Sequence, residues 1–230
     1  MDKTKQNKKI KIVKNGPYIV IGNVPLSEKI IVPKGKGYEF TEGRELPQSE
    51  EYSLCRCGKT KNAPFCDGSE VKTGFIGTET ASQDKYEDRA KLYEGATVDL
   101  RDDHRCALAR FCNREKGTVW ELTKKSDDEE NRKEVIRGAG ECPAGRLEAI
   151  DKSGKTLEPA YEPSISIIQD YEKGVSGGIF VRGNIPLESA EGSTYEVRNR
   201  YVLCRCGESA NKPFCDATHV SIKYSDKDKE

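Results

Sequence analysis

The sequence predicts an α+β protein: two small β-rich modules, each a strand-built cap with a cysteine loop and short helix, flank an α-containing insert. Three observations predict it. The chain contains itself twice, SLCRCGKTKNAPFCDGSE from Ser53 returning as VLCRCGESANKPFCDATH from Val202. The stretch between the copies changes from strand-like to helical patterning. Only 34% of the 230 residues are hydrophobic and 34% are charged, which suits several small units better than one deep core. The boundaries fall at 1–75, 76–160 and 161–230.

In chain order, the first element is a basic tail, MDKTKQNKKIK, which lacks the apolar segment of a signal peptide and reads as a solvated lead into a first strand. GPYIVIGNVPL from Gly16 is echoed by GGIFVRGNIPL from Gly177: a β-rich segment, a turn at Gly-Asn-x-Pro-Leu, then another strand. The first copy carries 12 extra residues around VPKGKGYEFTEG, Gly- and Lys-rich and read as a loop. In the second copy, residues 195–203 begin with apolar/polar alternation and run into Cys204, so the cysteines sit on a loop anchored by a strand. Between the copies, residues 82–95 read as a short helix with Tyr86, Ala90 and Tyr93 on one side and Gly95 as its stop. Ser126-Asp-Asp-Glu129 is a capping box opening a second helix through Val135 and Ile136, which stops at the glycines before Cys142-Pro143.

Lys+Arg and Asp+Glu cancel at 39 each, so no basic surface argues for a nucleic-acid partner. No stretch approaches the roughly 20 apolar residues of a membrane helix. The expectation is a protein of the reducing cytoplasm. Nine cysteines, an odd number, do not read as a secreted disulfide framework; thiols that are abundant, clustered and reduced read as metal ligands. No nucleophile–base pair, phosphate loop or substrate-pocket motif is present, which predicts a protein that is not an enzyme.

The second loop reads Cys204-x-Cys206, eight residues, then Cys215-Asp216-Ala217-Thr218-His219. Two thiolates one residue apart can grip one iron, and Cys215 and His219, four apart, can share a helix face and grip another. Thiolates suit Fe–S clusters, with imidazole an accepted replacement. Cys3His is also a zinc set, but zinc loops favour longer Cys–Cys spacings. The loop resembles the CDGSH (mitoNEET-like) iron–sulfur family, with pattern C-x-C-x2-S/T-x3-P-x-C-D-x-x-H, met by Cys204, Cys206, Ser209, Pro213, Cys215, Asp216 and His219. Ala217 stands where the family usually has Gly. The resemblance implies a [2Fe–2S] cluster with one iron on Cys204 and Cys206 and the other on Cys215 and His219. It also implies that Asp216, and Asp67 in the first copy, support the ligand loop.

The first copy matches at Cys55, Cys57, Thr60, Pro64, Cys66, Asp67, Gly68 and Ser69, then places Glu70 where His is expected. Either Glu70 ligates iron, another group completes the site, or the site is empty, so the count is one or two [2Fe–2S] clusters. In the insert, Cys106, Cys112 and Cys142-Pro143 resemble a further cluster site of [3Fe–4S] type, or of [4Fe–4S] type with one non-Cys ligand; the alternative is ordinary buried thiols. One continuous helix would place Cys106 and Cys112 about 240° apart, so they converge only if the helix starts or ends between them. His104, between Asp103 and Arg105, reads as a surface residue. Longer microbial relatives with two such motifs around a cysteine-bearing middle are similar to the whole chain.

The leading functional expectation is one-electron transfer with a protein redox partner. Replacing a thiolate by neutral imidazole raises a cluster's potential, and a protonatable ligand couples it to pH. The alternatives are cluster storage or transfer to an apo-acceptor protein, and a zinc-bound structural module. The family's homodimer implies that two copies in one chain pair internally, leaving a monomer with an internal pseudo-dimer.

Overall fold

The protein is described from a computed structural model covering residues 8–226; most of the basic tail lies outside them. The first copy contributes β1 (Lys9–Ile12), β2 (Tyr18–Ile21), β3 (Leu26–Lys34), β4 (Gly37–Glu45), β5 (Glu51–Leu54) and the one-turn helix α1 (Ser69–Lys72). The insert contains α2 (Tyr86–Arg89), β6 (Lys91–Tyr93), β7 (Val98–Asp102), β8 (Asn113–Arg114), β9 (Gly117–Thr118), α3 (Val119–Thr123), α4 (Glu129–Glu141) and β10 (Leu147–Asp151). The second copy supplies β11 (Ser164–Asp170), β12 (Val175–Arg182), β13 (Leu187–Glu188), β14 (Arg200–Leu203) and α5 (Thr218–Ser221).

The two copies exchange strands. One sheet has the order β13-β1-β2-β5 and the other β14-β12-β11-β3-β4, so the first takes in β13 from the opposite half and the second takes in β3 and β4. The exchange is reciprocal in register: Ile10 lies opposite Leu187, and Ile165 opposite Leu26, both parallel. Its origin is the Gly-Asn-x-Pro-Leu turn. Gly22 and Asn23, like Gly183 and Asn184, take positive φ, a conformation natural to Gly and tolerated by Asn. The proline two residues later has no N–H to donate, and the chain leaves its own sheet for its neighbour's. Ile10, Tyr18, Val20 and Leu54 then share one core with Ile165, Ile179, Val181 and Leu203. Neither half buries its apolar faces alone.

Several expected elements differ. The 12 extra residues are no loop: they lengthen β3 and β4 into a hairpin turning at Gly35 and Lys36. Phe40 on that hairpin sits 4.6 Å from Phe111 of the insert and 5.8 Å from Phe180, ring centre to ring centre, so a long-range contact outweighs the local loop composition. The helix expected over 82–95 is a single turn, with Ala90 already extended and residues 91–93 in a strand paired to β7. The second insert helix is capped by Asp128, whose carboxylate accepts from the Asn131 N–H, rather than by Ser126; that serine instead accepts from the Thr97 N–H. α4 also runs through the glycines to Glu141. A Cβ at Gly138 would lie 2.6 Å from Val119 Cγ1; glycine is there to let α3 approach, not to stop the helix. In the second copy the strand before Cys204 is confined to residues 200–203.

Candidate metal centres

β14 is buried along its whole length and delivers Cys204 into a loop tied back onto it. Cys204 N–H donates to Pro213 O at 2.8 Å, and Cys215 N–H to Val202 O at 2.9 Å. The Ser209 hydroxyl donates to Phe214 O and accepts from Asn211 N–H. Asp216 spans the loop, accepting from Ala210 N–H at 2.8 Å and from Thr218 N–H at 3.0 Å. Ala217 then takes a left-handed φ of 71° to start α5, which is the reason glycine is usual there.

This scaffold sets the four donors in two pairs. Cys204 Sγ and Cys206 Sγ are 3.7 Å apart, and Cys215 Sγ is 3.5 Å from His219 Nδ1. A tetrahedral metal with Fe- or Zn-like thiolate bonds of ~2.3 Å spaces its sulfurs by about 3.8 Å, so each pair fits one metal. Among the described residues, no three His, Cys, Asp or Glu side chains gather around a single point. Burial, with the charge of Arg205, lowers the imidazole pKa to about 4, leaving His219 neutral and able to ligate. The Cys204 thiol is lowered to about 7, chiefly by its hydrogen bond with Cys206, while that bond and burial push Cys206 up.

The first loop repeats the scaffold. Cys55 N–H donates to Pro64 O, Cys66 N–H to Ser53 O, and the Thr60 hydroxyl to Phe65 O. Asp67 accepts from Lys61 N–H and Ser69 N–H. Cys55 and Cys57 sulfurs are 3.6 Å apart. Glu70 occupies the place of His219, with the Cys66 thiol donating to its Oε2 at 3.2 Å. Burial, together with Glu70, raises the Cys66 pKa to about 11.

The two loops abut. A Cβ at Gly58 would overlap the carbonyl of Cys206, and one at Gly207 the carbonyl of Cys57. The Tyr18 hydroxyl lies 3.0 and 3.1 Å from the carbonyls of Cys204 and Pro213, so a residue of one half braces the ligand loop of the other.

In the insert, Cys106, Cys112 and Cys142 line one small cavity of about 20 Å³ together with Trp120, Pro143 and Ala144. Cys106 and Cys112 converge without a helix: the intervening loop puts Leu108 and Arg110 at positive φ. Positive φ is uncommon for such bulky residues and marks a constrained loop. It turns the Leu108 N–H onto Cys106 Sγ at 3.3 Å. Burial raises the Cys112 pKa to about 11 and pushes Cys142 up as well. His104 is 60% exposed, 3.8 Å from Asp102, and is not among the residues lining the cavity.

The insert docks on the second loop. Ala107, Ala109 and Phe111 pack with Val202 and Cys215. Arg105 stacks 4.3 Å over the Phe214 ring, and Arg200 Nε donates to Cys142 O at 2.8 Å. These arginines carried no signal in the cysteine spacing; only the fold brings them to the sites.

A family model described as "Iron-binding zinc finger CDGSH type" matches residues 15–69 and 176–220, and one described as "Divergent 4Fe-4S mono-cluster" matches residues 93–152. No curated protein and no solved structure matches the chain. Both matched CDGSH segments end on the paired-donor loops, and the third contains the three cysteines of the constrained loop and its facing turn. Two CDGSH-type iron-binding domains thus flank a divergent 4Fe–4S domain, the arrangement of a tandem CDGSH protein with an insert.

Proposed function

We propose that the protein is a one-electron carrier whose second loop holds a [2Fe–2S] cluster, one iron on Cys204 and Cys206 and the other on Cys215 and His219. The observation that carries this reading is the division of four donors into two pairs, each spaced for one tetrahedral metal. A mononuclear zinc site would draw all four to one point. The bound cluster would supply reversible one-electron chemistry. The protein's own part is to hold the donors and exclude water: Cys204, Cys206, Cys215 and His219 are each at most 6% exposed. That burial favours a cluster retained for redox work over one released to an acceptor. Cys106, Cys112 and Cys142 are proposed to hold a second centre of [4Fe–4S] or [3Fe–4S] type, completed in the former case by a non-cysteine ligand.

The test is EPR of the reduced, anaerobically purified protein with iron, sulfide and zinc counted per chain. The expected result is a [2Fe–2S] signal that changes in His219→Cys and whose midpoint potential falls. A zinc-loaded, sulfide-free protein, or a spectrum indifferent to His219, would overturn the reading. Rapid passage of the whole cluster to an apo-ferredoxin would replace electron transfer with cluster donation.

A further inference from the structure

Among the differences between the two copies, two at the same spacing offset each other in charge. Arg56 and Arg205 follow the first cysteine of each loop, and both are about 1% exposed. Their surroundings correspond in part. Arg56 donates to Val13 O and lies near the Phe75 ring; Arg205 donates to Ile168 O and lies near the Tyr224 ring. They differ in that Arg205 Nε donates to Gly177 O, in that Arg56 lies 5.6 Å from the Tyr18 ring centre, and in a carboxylate. Arg205 is ion-paired to Asp226, but residue 77, in the corresponding place, is glycine and offers Arg56 only its carbonyl. Among the described residues Arg56 makes no ion pair, and its Nε is buried without a hydrogen-bond partner. A buried guanidinium without a counter-charge is costly. The same half that lacks this acid has gained one at the fourth donor position, where Glu70 replaces His219.

At three aligned positions the formal charges give the same sum. The second has Arg205, Asp226 and a neutral imidazole; the first has Arg56, Gly77 and a carboxylate. We infer that the first module holds its own [2Fe–2S] cluster through Cys55, Cys57, Cys66 and Glu70, with the guanidinium of Arg56 compensating the charge of that fourth ligand. The assignment rests on the reading of the second loop as a [2Fe–2S] site. The pair of donors is already formed: Glu70 Oε2 meets Cys66 Sγ at 3.2 Å, as His219 meets Cys215, from helices that both start at a left-handed residue.

The test compares full-length wild type, Glu70→Ala, Glu70→His, Arg56→Met and Arg56→Met/Glu70→His by iron and sulfide per chain and by EPR. Glu70 lies on a one-turn helix with no buried residue, so its variants fold. Glu70→Ala should lose one [2Fe–2S] equivalent, while Glu70→His keeps it with a signal like that of the second site. Arg56→Met should lose the first cluster selectively, and the double variant should recover it. Should both Arg56 variants fail to fold, Glu70→His alone reads the charge. Its first-site potential should exceed that of the second site, because Arg56 then has neither the Glu70 carboxylate nor an equivalent of Asp226; equal potentials overturn the compensation. Full iron, sulfide and an unchanged spectrum in Glu70→Ala overturn the ligand. A wild type loaded at the second site and empty at the first overturns this inference alone, whereas sulfide-free protein overturns the proposed function with it.

Discussion

Among single side chains, Arg205 and Asp226 carry the heaviest electrostatic commitment, with both side chains at most 1% exposed. Burial works against the Asp226 carboxylate, but the Arg205 charge and hydrogen bonds from Ser176 and Gln169 outweigh it and hold its pKa at about 2. A carboxyl depressed in the folded state contributes stability that is complete above its unfolded value near ~4 and lost as pH falls toward the folded one. Acid should therefore weaken the protein between about pH 4 and 2, and the acid limb of a denaturation curve should flatten in Asp226→Asn. At neutral pH that variant leaves a buried arginine unpaired and should cost about 3–5 kcal/mol in urea unfolding. Ala217 is a smaller strain at φ 71°. Ala217→Gly should gain up to about 1 kcal/mol, the left-handed penalty less the entropy of glycine, readable as a raised Tm. The cysteines of both loops were legible because ligand spacing is local and survives in sequence. Asp226 was not, since nothing in its neighbours points to an arginine 21 positions earlier.

Among elements, the abutting loops make the strictest demand. Gly58 and Gly207 have φ of 71° and 85°, and each faces a backbone carbonyl beside a cysteine of the opposite loop. Gly58→Ala should cost more than the about 1–2 kcal/mol of a left-handed alanine, because the methyl also meets Cys206 O. Its distinguishing effect should be on the other half: the EPR signal assigned to the second loop should shift, although no residue there has changed. In the insert, Asp128→Ala should cost about 1 kcal/mol by removing the α4 cap, measured by thermal melting. Helix existence was legible from Val135 and Ile136. The ends were not: Ser126 and Asp128 are both good caps, and the glycines that looked like a stop make room for Val119. The β3–β4 hairpin was hidden because its reward, Phe40 against Phe111, comes from a residue 71 positions away.

For the whole molecule, the repeat announced two related modules, but not that each would complete its sheet from the other. Parallel pairing of β1 with β13 and of β3 with β11 has no local signature; register is set by the apolar faces that meet. Because these pairings close within one chain, the expected state is a monomer, and sedimentation should return 25.7 kDa. A dimer twice that mass would show the exchange running between chains instead.

The strand exchange also sets a timetable for biogenesis. The edge of the first sheet stays open until Leu187 and Glu188 have left the ribosome, so the amino-terminal half stays incomplete until most of the 230 residues have been synthesised. Metal loaded before that moment would meet half a scaffold. Loading of the first loop is thereby expected to follow synthesis of β13 and of the second loop against which it abuts.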